Sequence, residues 1–154
     1  MSKSSLPTSQ AIRFPVANTF TTLYITPRPG IRITHQAFVD TLTTSRNYIM
    51  DHRGSDMDNR PLSPADYPFN STKFCSADCL LYARNPRGRP EPAVQRLTYN
   101  YMRDTLFGLR DYTFGPEKPF RTHYDGVIFN IEHKGLGLVG VGALTLPSAD
   151  PWAP

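Results

Sequence analysis

The run Gly126 to Pro147, GVIFNIEHKGLGLVGVGALTLP, restricts the fold more than any other part of the chain. Inside it, Gly135-Leu136-Gly137-Leu138-Val139-Gly140 fits the G-x-G-x-x-G pattern of a dinucleotide-binding turn. That chemistry needs the third glycine to open a helix whose N-terminus meets the pyrophosphate. It also needs an acidic residue about 20 positions later for the ribose. Here Pro147 ends any helix almost at once and no strand follows to complete a βαβ unit. Glycine is also the poorest ordinary residue in a helix interior. The run is therefore a β-hairpin, and no cofactor is expected.

A tight turn at Lys134-Gly135 pairs Ile131 with Leu138, Phe129 with Gly140 and Val127 with Gly142 on one face. Glycines opposite bulky side chains leave room for a ring or a closely approaching helix. The other face then pairs Ile128 with Val141, Asn130 with Val139 and Glu132 with Gly137. It too is largely apolar.

Upstream, Thr21 to Thr26 (TTLYIT) is a strand by its β-branched and aromatic content, stopped by Pro27, Pro29 and Gly30. A helix follows, with Thr34 as N-cap, Ile33 and Phe38 at staple spacing, and Phe38, Leu42 and Ile49 on its apolar face. Ser55 to Lys73 is a proline-rich loop, Cys79 to Arg84 a second strand, and NPRGRPEPAVQ a second loop. Thr98 caps a second helix, with Leu97 and Met102 as its staple and Leu106 and Leu109 continuing its apolar face.

The two helix starts, ITHQAFVDTL and LTYNYMRDTL, share a pattern, and each follows a strand containing Leu-Tyr. An internal duplication of a strand–loop–helix unit accounts for this better than shared capping chemistry. The expected fold is α+β: a two-layer α/β sandwich of order β-α-β-α-β-β, with two helices on one face of a four-stranded antiparallel or mixed sheet. Residues 1–18 are expected to be a mobile tail, 19–147 a single domain and 148–154 a C-terminal tail.

Two helices can blanket only one face of such a sheet. The second face is expected to carry Tyr24, Tyr124, Ile128, Asn130, Glu132, Val139 and Val141, joined by Tyr82 or Leu81. An uncovered apolar face usually marks an interface or ligand site. Cover from the N-terminal tail or the Ser55–Lys73 loop is the competing expectation.

A formal charge of +4 favours acidic partners only weakly, because the basic residues are not gathered into one run. Arg28 and Arg32 in the first loop, with Arg84, Arg87 and Arg89 in the second, are expected to form a basic rim at one sheet edge. Nucleic acid is the less favoured partner, since the aromatic, glycine and basic signature of RNA-binding strands is missing. No apolar run reaches the length of a membrane span, and MSKSSLPTSQAIRF holds no apolar leader core. A cytoplasmic or nuclear location is expected, with secretion only if a leader had been removed.

His123 and Asp125 share a face of an extended strand, but at about 6–7 Å they are loosely spaced for general-base work, and no nucleophile accompanies them. Glu132 and His133 point to opposite faces. Cys75 and Cys79 stand about 13 Å apart on an extended strand, beyond disulfide reach unless a turn at Ser76-Ala77-Asp78 brings them together, and lack partners at zinc spacing. Free thiols, structural histidines and no metal site are expected.

The segment LTYNYMRDTLFGLRDY, followed by a strand and GLGLVGVGAL, resembles a loose set of small fungal proteins. It covers about the last 60 residues, with weaker agreement over the first strand and helix. As that set has no assigned activity, the resemblance assigns no residue a role. The expected function is a non-enzymatic interaction module using the second sheet face, as a homodimer or with another protein. An isomerase, cyclase or hydrolase acting on a small apolar molecule is the alternative, with Tyr124, Asn130 and Glu132 as its polar groups. Nucleic-acid binding through the arginine loops is the third.

Overall fold

A computed structural model describes residues 11–55, 57–87 and 97–153. The chain runs β1 (Ile12–Pro15), β2 (Thr21–Thr34), α1 (His35–His52), β3 (Phe69–Asn70), a 3-10 turn (Ser71–Lys73), β4 (Leu80–Arg84), α2 (Tyr99–Phe114), β5 (His123–His133) and β6 (Gly137–Thr145). The fold is α+β, with two helices and one antiparallel six-stranded sheet of order β1-β2-β5-β6-β4-β3. Six strands replace the four expected. The additions are short edge strands, one from the stretch read as an N-terminal tail and one from the proline-rich loop. Among the described residues no helix is long and apolar enough to cross a membrane.

Both helices begin where side-chain capping puts them. The Thr34 hydroxyl accepts from the Ala37 amide at 3.2 Å, and that of Thr98 from the Tyr101 amide at 3.1 Å. Each cap contributes about 1 kcal/mol. The staple residues Ile33, Phe38, Leu97 and Met102 are all buried.

Pro27 and Pro29 do not stop β2. β1 pairs only with Thr22–Ile25, so the outer side of β2 beyond that point is a sheet edge among the described residues. An edge tolerates proline because no neighbouring strand asks for the missing N–H. The register against β5 shifts between Arg28 and Arg32, which takes Pro29, Gly30 and Ile31 out of the ladder.

The terminal hairpin forms, with its register shifted from the expected one by one residue at His133 and Glu132 and by two from Ile131 onward. His133 pairs with Gly137, Ile131 with Gly140, Phe129 with Gly142 and Val127 with Leu144. One residue of the shift comes from a longer turn, in which Gly135 and Gly137 adopt φ of 88° and 79°, a backbone that glycine enters without strain, and the second comes from a bulge. From Ile131 onward the slip of two preserves which face each residue occupies, while Leu138, expected beside Ile131, comes to lie opposite Glu132. A bulge between Ile131 and Glu132 then leaves Val139 as an extra residue. The glycine argument survives the slip. A methyl on Gly142 would lie 2.6 Å from Phe129 Cζ and would also meet the Tyr82 carbonyl oxygen.

The helix side of the sheet forms the core. Leu23, Ile25, Phe129, Ile131 and Leu144 meet Phe38, Ile49, Met102 and Leu109, none more than 3% exposed. Ile25 and Ala83 share one register row with Phe129 and Gly142, and β2 and β4 run in opposite directions on either side of the hairpin. A half turn about the Phe129–Gly142 pair therefore carries Leu23-Tyr24 onto Leu81-Tyr82. The helices follow the same exchange: α1 leaves β2 and touches β4, while α2 follows β4 and touches β2 and β1.

Candidate functional site

Strand residues between core positions point away from the helices. Pairing places Arg13, Tyr24, Asn130, Val141 and Arg84 in one row across five strands, with Thr26, Ile128, Ala143 and Tyr82 in the next. Tyr24, Ile128, Val141 and Tyr82 are half-buried and Asn130 is exposed. Glu132, half-buried, lies one row further on opposite Leu138. This open face gathers five of the seven residues expected there.

Val139 and Tyr124 are the exceptions. Val139, expected opposite Asn130, is the bulge residue and is fully buried in the core, while Val141 takes the place beside Asn130. Tyr124 also faces the helices, its ring 5.5 Å from Phe38 and 5.1 Å from Phe114. The Tyr124 hydroxyl accepts from the Arg121 amide at 3.1 Å and lies 3.2 Å from His35 Nδ1. Tyr124 and Val127, three positions apart, are both buried, so alternation breaks at Asp125-Gly126, where β2 loses register. Of the two alternatives for β4, Tyr82 joins the open face and Leu81 the core.

Part of the open face has a roof. It is supplied by the C-terminal segment and not by the Ser55–Lys73 loop, whose Asp66 sits against the helices, while residues 1–10 of the expected N-terminal cover lie outside the described residues. Pro151 is buried, Arg28 donates to the Ala153 carbonyl, and the Trp152 ring stands edge-on to Tyr82 at 6.1 Å with the Arg84 guanidinium 6.0 Å above it. The Trp152 amide donates to Asp150 Oδ1 at 3.0 Å, which fixes the turn that presents the indole. A groove of about 470 Å³ lies beneath, between the segment and strands β4 and β6.

The arginines do not form one rim. Because β2 and β4 run in opposite directions, their following loops leave the sheet at opposite ends. Arg28 reaches the C-terminal segment, Arg32 pairs with Asp125 in the ladder and is exposed, and Arg84 and Arg87 line the groove. Arg89 lies outside the described residues.

A buried polar cluster escaped the sequence reading. Tyr48 on α1 donates to Asp66 Oδ1 at 2.5 Å, and Tyr99 at the start of α2 donates to Asp66 Oδ2. Burial alone raises the Asp66 carboxyl, but hydrogen bonds from Tyr48, Tyr99 and Ser63 outweigh it and hold it below its ordinary value. The bond to Asp66, followed by burial, pushes the Tyr48 phenol up to about 12. At neutral pH the carboxylate is held charged and the phenol protonated, which suits a clamp between loop and helices and not a proton shuttle. No pattern in SPADYP signals it, because the partners lie 18 and 33 positions away.

Cys75 and Cys79 are free thiols. Burial pushes Cys79 up to about 12, so it stays protonated and unreactive. His123 and Asp125 are both exposed. Among the described residues no three His, Cys, Asp or Glu side chains converge as a metal site. No protein-family model, curated protein or solved structure matches the chain.

Proposed function

We propose that this protein is a non-enzymatic interaction module that self-associates through the open half of its sheet. The observation carrying this reading is the contiguous set Tyr24, Ile128 and Val141, half-buried on a face that neither helix covers. Half-exposed apolar side chains in adjacent rows favour burial against a second surface, and two sheets pack face to face at about 10 Å. The patch is also suited to meet itself. Arg13 at one margin and Glu132 further in give a two-fold copy a cation to set against each carboxylate.

The polar groups that an enzymatic pocket on this face would need do not converge. Tyr124 lies on the core side, and Asn130 and Glu132 sit in different rows. Sedimentation velocity at micromolar concentration tests the proposal: a species of twice the chain mass is expected, and a strict monomer overturns it.

The fold reading extends to internal duplication. The half turn that carries Leu23-Tyr24 onto Leu81-Tyr82 matches the same two units as the pairing of ITHQAFVDTL with LTYNYMRDTL, with six more residues between strand and helix in the second unit. An experimental structure in which the β2–α1 and β4–α2 pairs fail to superpose by that rotation would refute the duplication.

A further inference from the structure

We propose that the groove beneath Trp152 is a binding site for a small planar anion, an aromatic ring carrying a phosphate or carboxylate. It does not depend on self-association, since it lies on the β4 side of the face under the C-terminal segment. Its volume of about 470 Å³ falls within the range of small-molecule sites. The walls supply two kinds of contact. Trp152 and Tyr82 offer ring surfaces, and Arg84 and Arg87 offer guanidinium groups suited to bidentate capture of an acid. Trp152 is 45% exposed although its backbone is tied down at Asp150, so the indole is held in place with ring surface to spare. Asp150 also lines the groove, but its Oδ1 is engaged by the Trp152 amide.

Thr145 also lines the groove; it is 1% exposed, and its hydroxyl, like those of Thr41 and Ser45 on α1, has no hydrogen-bond partner among the described residues. A ligand oxygen or ring nitrogen seated beside it would accept from that hydroxyl.

Trp152 is the sole tryptophan in the chain, so one indole N–H resonance reports on the site. The full chain labelled with ¹⁵N is titrated separately with adenosine monophosphate, benzoate, adenosine and inorganic phosphate. At least one of the ring-plus-acid probes is expected to shift that resonance saturably, about tenfold tighter than adenosine or phosphate alone. The two acid probes separate a phosphate from a carboxylate source. Arg84→Gln and Arg87→Gln are each expected to weaken the tighter probe by about tenfold. Thr145→Val is expected to weaken it about threefold while raising thermal stability, an outcome that a misfolded variant cannot give. Three results would overturn the proposal: no saturation by either acid probe at about 10 mM, a millimolar-range ceiling for meaningful affinity; adenosine binding as well as the monophosphate; or arginine variants indistinguishable from the parent.

Discussion

Tyr24 and Tyr82 occupy equivalent places on the open face, one row to either side of the Phe129–Gly142 pivot, yet their surroundings differ. Tyr82 lies under Trp152 and the C-terminal segment, whereas the row beginning at Tyr24 runs out to the exposed Asn130. One half of the sheet thus satisfies its apolar surface within the chain and leaves a groove, and the other leaves it half-exposed, the surface on which the proposed self-association rests. Near-symmetric halves can serve different ends when a single terminal segment breaks the symmetry.

Removing the pivot should damage both halves together. Phe129→Ala is expected to cost about 4 kcal/mol by chemical denaturation, since a fully packed ring is lost beside Gly142. Asn130→Ala, one position along but on the open face, should stay within about 0.5 kcal/mol. Similar losses for the two would mean that the faces are not distinct. Ile128→Glu should leave the monomer folded and weaken association by about a hundredfold, or ~2.7 kcal/mol, by placing a carboxylate in the contact.

Tyr82→Ala should cost about 2 kcal/mol because Trp152 loses its support, against about 1 kcal/mol for Tyr24→Ala. The same pair should reverse in a sedimentation assay, where only Tyr24→Ala weakens association. A reversed order in either assay would erase the distinction between roofed and bare halves.

The clamp at Asp66 lies outside both halves and supplies a control that treats them alike. Its carboxyl is depressed on folding, so its contribution is full above the ordinary carboxyl range and is lost as pH falls through the lowered folded value. Tyr48 is raised, so its contribution is full below pH 10.0 and is lost as pH rises toward about 12. Tyr48→Phe is expected to cost about 1 kcal/mol and to flatten the alkaline limb of a melting-temperature profile, without changing association.

Much of this was legible because it depends on local chemistry. Thr34 and Thr98 announce their helices through caps that need only the next three residues, and the hairpin follows from glycines opposite rings. The faces of β5 survive a misjudged turn because the bulge at Val139 adds a second residue to the slip, and a slip of two preserves sidedness. Val139 and Tyr124 were misplaced for the opposite reason: a bulge and a lost register in β2 each break alternation, and neither leaves a periodic trace. The edge strands Ile12–Pro15 and Phe69–Asn70 were hidden because short strands owe their conformation to a neighbour distant in sequence. The groove was invisible for the same cause, since it exists only where Trp152 returns to Tyr82 across 70 positions.

The most direct test of an associating open face is sedimentation equilibrium on the parent, Ile128→Glu and Met57→Glu side by side. Met57, 94% exposed in a loop, controls for added charge alone. The parent and Met57→Glu should sediment as dimers and Ile128→Glu as a monomer. Three equal masses, or a dimer that Ile128→Glu leaves intact, would contradict the assignment of the bare half of the sheet as the contact surface.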